Sequence, residues 1–207
     1  MRAVGSDLAS GIERELLTVL RILPLVPPRA ALRLRAPPPP GSEPIANGLD
    51  RSIPGWPCPP PEGAATAISV DSGASDSAFL ALGPLPWPAL RAWALAAGTA
   101  DSLTIAFHAG DTSLAGTRFT GILVVDGTLR LEGGAQVVGI VVARGGLVFG
   151  PGGGVVTGAA LTDRISIMAG AEPPVSQVQF SSCAVGLAGR ANARLSPLPG
   201  LPPQDSY

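Results

Sequence analysis

Apolar positions between residues 121 and 168 recur in sixes. Gly121, Gly127, Gly133, Gly139 and Gly145 open successive units, and Pro151 holds the next opening slot. Two residues after each opening come Leu123, Leu129, Ala135, Val141, Leu147, Gly153, Ala159 and Ile165. Four residues after come Val125, Leu131, Val137, Ala143, Phe149, Val155, Leu161 and Ile167. Alternate residues of a strand point to opposite faces, so slots two apart share a face. The pattern predicts eight short strand units with these slots turned inward, Gly153 alone bringing no apolar side chain. Glycine at the openings fits corners, where a positive φ is often required. Similarity also returns at 18 residues: 121–138 set against 139–156 has eight identities, among them Gly121/Gly139, Leu129/Leu147 and Val137/Val155. Three units then make one coil. The expected fold is mainly β, a short three-sided β-solenoid of about 18 residues per coil, with a covering helix and an N-terminal amphipathic helix.

The outward slots distinguish the three sides. On the first they are Ile122 and Val124, Ile140 and Val142, then Gly158 and Ala160, so this side is apolar on both faces. Ile122, Val124, Ile140 and Val142 are therefore a candidate interaction face unless the chain covers them itself. The natural cover is a helix over about 88–97, with Pro88 in its first turn, Gly98 at its end and a stripe of Leu90, Trp93, Ala94 and Ala97. The second side is mostly wet, with Thr128 and Arg130, Gly146 and Val148, then Arg164 and Ser166, and the third is flat and small, with Gly134, Gln136, Gly152 and Gly154. A stack this short exposes strand edges at both ends, which need caps or a partner. N-terminal segments suit one end, and residues 172–183, where Val178 and Phe180 alternate with Gln177 and Gln179, suit the other.

Around this core four regions are expected. Residues 1–44 hold an amphipathic helix over 7–23, from the spacing of Ile12, Leu16, Val19, Leu20 and Leu23, then a proline-rich linker with a short edge strand at 30–35. Residues 45–118 form an irregular region with the 88–97 helix and a lead-in strand at Leu103, Ile105 and Phe107; residues 119–183 form the solenoid and its capping strand. Residues 184–207 read as an extended tail. Trp56 reads as cover for apolar surface, and Asp71, Ser75 and Asp76 as a turn rather than a cation site.

Composition narrows the function. Glycine and proline make up about a quarter of the 207 residues, aromatics 4% and charged residues 14%, so the core must be aliphatic. The formal net charge of −1 creates no field for nucleic acid or an anionic membrane. No uncharged apolar run reaches a membrane span, and the first residues lack a secretory leader; on this reading the protein stays inside, or Met1 is not its natural start. Cys58 and Cys183 stand without a partner motif, so zinc is not expected. They are either a disulfide of an exported protein or two buried thiols.

Candidate chemistry is sparse. Acyltransferases built on hexad repeats need a histidine at a coil edge, and the single histidine, His108, lies outside the repeat. Polysaccharide lyases and pectin-type hydrolases cluster Asp, Lys or Arg on one side. Here Asp126, Arg130, Glu132 and Arg144 are the charges within 121–162, and they read as solubilising residues, some paired across coils. Gly150 to Gly154 has no following Lys-Ser or Lys-Thr, so it is not a phosphate loop, and Asp126-Gly127 reads as a turn. No catalytic residue, cofactor, metal or small-molecule substrate is expected.

The run from Gly121 to Leu131 (GILVVDGTLRL) and the later Gly139 to Gly145 (GIVVARG) resemble the C-terminal β-solenoid region of PilX-like proteins of type IV pilus assembly. Trp56-Pro57-Cys58-Pro59 and Ser181-Ser182-Cys183-Ala184 resemble paired-cysteine features of some members. The resemblance covers about residues 45–190, on glycine and aliphatic patterns. It implies a non-catalytic structural or surface protein of the bacterial cell envelope or exterior, with pilus or envelope proteins, or itself through solenoid edges, as partners. The chain departs from that group in lacking a prepilin-type leader and long apolar helix. Bactofilins, which are cytoskeletal β-helix polymers, share the glycine-aliphatic repeat and make a self-assembling scaffold the alternative; a carbohydrate-active or acyl-transfer enzyme is the second alternative.

Overall fold

The hexads coil as expected. A computed structural model describes residues 2–7, 12–17, 20–23, 28–40, 45–61, 63–96, 104–171, 175–191, 194–197 and 204–206. It contains a parallel β-solenoid of about four turns with about 18 residues per coil. In chain order, the N-terminal strands are β1 (Arg2–Asp7), β2 (Ile12–Leu17), β3 (Leu20–Leu23), β4 (Ala30–Leu34), β5 (Ala46–Asn47) and β6 (Thr66–Val70). Two helices follow, α1 (Asp76–Phe79) and α2 (Trp87–Ala96). The coils comprise β7 (Thr104–His108), β8 (Thr112–Ala115), β9 (Arg118–Val125), β10 (Thr128–Glu132), β11 (Ala135–Ala143), β12 (Gly146–Phe149), β13 (Gly154–Thr162) and β14 (Ile165–Ile167). Last come β15 (Ser176–Phe180), α3 (Ser182–Ala191), β16 (Arg194–Pro197) and β17 (Gln204–Ser206).

Two sheets make the coil walls. One stacks β8, β10, β12 and β14; the other stacks β7, β9, β11 and β13. The long strands β9, β11 and β13 serve two sides each. Before Gly139, Val138 clusters outward with Ile53 and Ala184; after it, Ile140 and Val142 cluster with Phe79, Leu90 and Val185. The change of outward neighbours marks the corner. There Gly139 sits directly between Gly121 and Gly158, with φ of 132°. A Cβ on Gly139 would lie 2.0 Å from the Gly121 oxygen, and one on Gly158 1.9 Å from the Gly139 oxygen. The inward column of Leu123, Leu129, Leu131, Val137, Val141, Leu147 and Phe149 is fully buried.

One expected register is corrected. Gly139 pairs with Gly121, 18 residues back, but Gly158 pairs with Gly139, 19 residues back. The extra residue falls in the Gly150-Pro151-Gly152-Gly153 turn, and the spacing returns to 18 where Leu147 pairs with Ile165. Because side chains alternate along a strand, a one-residue slip sends each to the opposite face. Val156 and Ala160 therefore join the interior, and Ala159 and Leu161 face out, not Gly158 and Ala160. Thr162 is buried too, its hydroxyl donating to the Arg164 carbonyl at 3.3 Å.

One end of the solenoid is closed by strands from outside the repeat. β15 and β4 lie along successive parts of β13: Ser176–Phe180 pairs with Gly154–Gly158, and Leu32–Leu34 pairs with Ala160–Thr162. β6 then pairs with β4, and β5 with β15. The N-terminal segment and residues 176–180 thus cap the same end, not opposite ends. Nor is 30–34 part of a linker or an edge: Leu32 and Leu34 are fully buried between flanking strands. Their alternation with Arg33 and Arg35 fits a strand with one face in the core.

The apolar first side is covered from within. Ile122, Val124, Ile140 and Val142 are at most 1% exposed, beneath Phe79, Leu80, Leu82, Leu85, Trp87 and Leu90 and beside Val185 and Ala188. Burying each such side chain contributes about 1.5–3 kcal/mol. The candidate interaction face is therefore occupied by the chain's own helices. α2 occupies 87–96, with Leu90 and Ala94 on its buried face; Ala97 and Gly98 lie outside the described residues. The beginning of the expected tail is corrected to α3. Gly186 and Gly189 lower its intrinsic helix propensity by about 1 kcal/mol each, and the burial of Ala184, Val185 and Ala188 overrides that cost.

Residues 1–24 and 193–207 form a separate unit. In it β1, β2 and β17 make an antiparallel sheet, and β3 pairs with β16. The amphipathic helix expected over 7–23 is replaced by strands. Ile12 and Leu16, four residues apart, share a face in a strand as well as in a helix, so this short run does not fix the period; antiparallel pairing satisfies its backbone groups.

Candidate functional site

Two constructions hold the outer layers to the solenoid, and both involve the residues with chemical potential. The first is a clamp beside the third side. Cys58 and Cys183 are disulfide-bonded, with Cα atoms 5.4 Å apart and 125 residues of separation. In the chain-entropy view a loop of this length stabilises by about 4–5 kcal/mol. Noncovalent contacts flank the bond. Asp50 accepts from the Ser182 N–H at 2.8 Å and from its hydroxyl at 2.6 Å, at the start of α3. The Arg51 N–H donates to the Phe180 carbonyl at 3.1 Å. The Gln179 side-chain amide donates to the Leu49 carbonyl. Trp56 packs with Ile53, Val138 and Ala184, as its expected covering role requires.

The second construction is a ladder of charges at the corner that follows the first side. Asp126, Arg144, Asp163 and Arg35 succeed β9, β11, β13 and β4, so the stacking of those strands aligns them with alternating sign. Arg144 Nη1 lies 3.1 Å from Asp126 Oδ1, and Arg35 Nε lies 2.8 Å from Asp163 Oδ1. α1 and α2 lean on the same rail. Asp76 of α1 pairs with Arg35 and, at 3.3 Å, with Arg144; Arg91 of α2 lies 3.0 Å from Asp126. Beside it Arg33 pairs with Asp71 at 2.7 Å, and the Arg33 and Arg35 guanidinium groups lie 5.1 and 5.0 Å from the centre of the buried Phe79 ring. Such contacts combine charge attraction with desolvation of the ring face.

The electrostatics follow from these pairs. Hydrogen bonding and charge from Arg35, assisted by Arg144, hold the Asp76 carboxyl below its ordinary value against an opposing effect of burial. Asp126, then Asp76, raise the Arg144 guanidinium further above its already high value. Both shifts favour the charged forms, the opposite of what a proton-transfer group requires near neutral pH.

Each residue singled out in the sequence now has a place. Asp126 and Arg144 pair across coils, as expected. Arg130 and Glu132 neighbour each other on one strand at 2.8 Å, and Ser113 donates to Glu132 at 2.8 Å. Asp71 and Asp76 are held by arginines, while Ser75 caps α1 by accepting from the Ala78 N–H at 3.4 Å. His108 is half-buried at the end of β7, and its carbonyl accepts from the Asp126 N–H at 2.9 Å. Among the described residues, no group of three His, Cys, Asp or Glu side chains has the arrangement of a metal site. None of the described helices is long and apolar enough to cross a membrane. An open cavity of about 590 Å³ lies beside β6, lined by Arg29, Arg33, Ser69, Asp71, Ala78 and Leu161 among others. Sequence reasoning missed Arg35 and Asp163 as ladder members. The signal was the alternation of Leu32 and Leu34 with Arg33 and Arg35, which marks a half-buried strand rather than a linker. No protein-family model matches the chain, and no curated protein or solved structure matches it significantly.

Proposed function

We propose that this chain is a non-catalytic structural protein of the bacterial cell envelope or exterior, associated with pilus assembly. The observation that carries the reading is the Cys58–Cys183 disulfide. Disulfides of this kind persist in oxidising compartments and are rare in the cytosol of mesophiles. Two further features support it. The charged residues of the solenoid corner are engaged in ion pairs that bind one layer of the protein to another. The glycine-aliphatic runs at Gly121–Leu131 and Gly139–Gly145 resemble the solenoid region of PilX-like proteins, which is what connects the reading to pili.

The test is made in the native host. Cells are fractionated with thiols trapped at lysis, and the chain is digested without reduction. The reading expects the linked peptides carrying Cys58 and Cys183 in the envelope or secreted fraction. Free thiols at both positions in a cytosolic pool would overturn the location. Normal piliation after deletion of the gene would remove the connection to pilus assembly.

A further inference from the structure

The two ends of the solenoid differ. At one, β13 is followed by β15 and β4, and these by β5 and β6. At the other, β7 and β8 are the outermost strands of their sheets, and among the described residues nothing pairs with their outer edges. The interior is incompletely closed at both ends: Ile68 and Ile167 stay partly exposed at the first, and three side chains do so at the second. Ala106, Leu114 and Phe119 pack on the core but stay partly exposed, whereas Leu123, Leu129 and Val137 of the adjoining coil are fully buried. Edge strands of monomers are commonly blunted by lysine, proline, inward charges or bulges. The runs Thr104–His108 (TIAFH) and Thr112–Ala115 (TSLA) contain no lysine, proline or acidic residue.

We propose that this end docks against the same end of a second copy of the chain, forming a closed two-fold pair. The occupant follows from geometry. The open edges of β7, β8 and residues 118–120 of β9 lie on the three sides of one coil at fixed angles, and one extended peptide can satisfy only one of them. The same end of another copy presents all three edges at matching angles, and a two-fold axis brings them together as an isologous, self-complementary interface. Leu114, Ala106 and Phe119 of each copy then complete the burial of the other's last coil. A formal net charge of −1 sets no strong repulsion against the pairing. The capped end presents different edges: β5 has two residues, β14 three, and β6 comes from a separate segment of the chain. The pairing therefore closes at two copies and does not propagate into a filament. This inference deepens the structural reading above but stands on different residues, so the location of the chain and its pairing fail independently.

Light scattering on the full, oxidised chain, across a concentration series, reads the mass directly. The expected result is twice the 20.7 kDa chain mass at high concentration, and one chain mass for Leu114→Lys at the same concentrations. Hydrogen exchange on the unmodified chain supplies a readout that needs no variant. Amides of 104–108 and 112–115 should gain protection as concentration rises, while those of β11 stay constant. A monomer at every concentration would overturn the proposal. So would growth into filaments. Concentration-independent protection of 104–108 would mean that the chain covers this edge itself, and would overturn it equally.

Discussion

The stacked glycine corner offers the most direct quantitative check on the fold. Consider Gly139→Ala. The residue has φ of 132°, a region L-residues rarely adopt, and a backbone strain of this type costs about 1–3 kcal/mol. The new Cβ would also lie 2.0 Å from the Gly121 oxygen, where real Cβ contacts stay above 3.0 Å. Relief requires one rung to move by about an ångström against a strand spacing of about 4.8 Å, and overpacking of that order costs about 1–3 kcal/mol more. The total is about 2–6 kcal/mol, a large part of the ~5–15 kcal/mol that separates folded from unfolded chains. Gly134→Ala is the control. It has φ of 77° with nothing within 4 Å of its would-be Cβ, so it carries the backbone strain alone, about 1–2 kcal/mol. Urea denaturation of both variants and the parent, followed by circular dichroism, gives the three midpoints at unchanged slope. Equal losses for the two alanines would refute the close stacking of Gly121, Gly139 and Gly158.

Two further predictions address register and charge. Val156 is fully buried and Val155 partly exposed because of the one-residue slip at 150–153; Val156→Lys should cost on the order of 3–5 kcal/mol as an unpaired buried charge, and Val155→Lys about 0.5 kcal/mol or less. A reversed order in thermal unfolding would restore the unbroken hexad frame. The lowered Asp76 pKa means that the folded state holds the carboxylate more strongly than the unfolded chain does. Its stabilisation is present above the ordinary carboxylate value and is lost as pH falls through the depressed folded value. Stability should therefore fall with acid below about pH 4, and Asp76→Asn should flatten that slope; denaturant midpoints taken from pH 6 downward that keep the same slope in the variant would contradict this.

The solenoid and its covered side were legible because both are written in short-range periodicity. Inward slots two residues apart, repeated every six and every 18, identify a coil whatever the rest of the chain does. The doubly apolar strands at Ile122–Val125 and Ile140–Ala143 likewise announce a second layer, since exposed apolar patches of that kind are uncommon. Residue pairing across the helices was less visible. Leu90 and Ala94 stand out at helical spacing, but α3 carries two glycines and mostly small side chains, so only the strands beneath it make it a helix.

By itself, then, the amino-acid sequence determined the coil, its aliphatic interior, the corner glycines and the need for a cover, because each depends on neighbours a few residues away. Tertiary structure decided the rest. It set the one-residue slip at the Gly150–Gly153 turn, which is invisible to a hexad count yet turns Ala160 inward and Leu161 outward. It placed β4 against β13, 128 residues away where Leu32 meets Ala160, and so delivered Arg35 to the ladder beside Asp163. It also closed the bond between Cys58 and Cys183. The last two share a physical reason. Loop closure costs rise only slowly with length, so an unpaired edge or an open face recruits whichever distant segment fits it, and no local pattern records the choice.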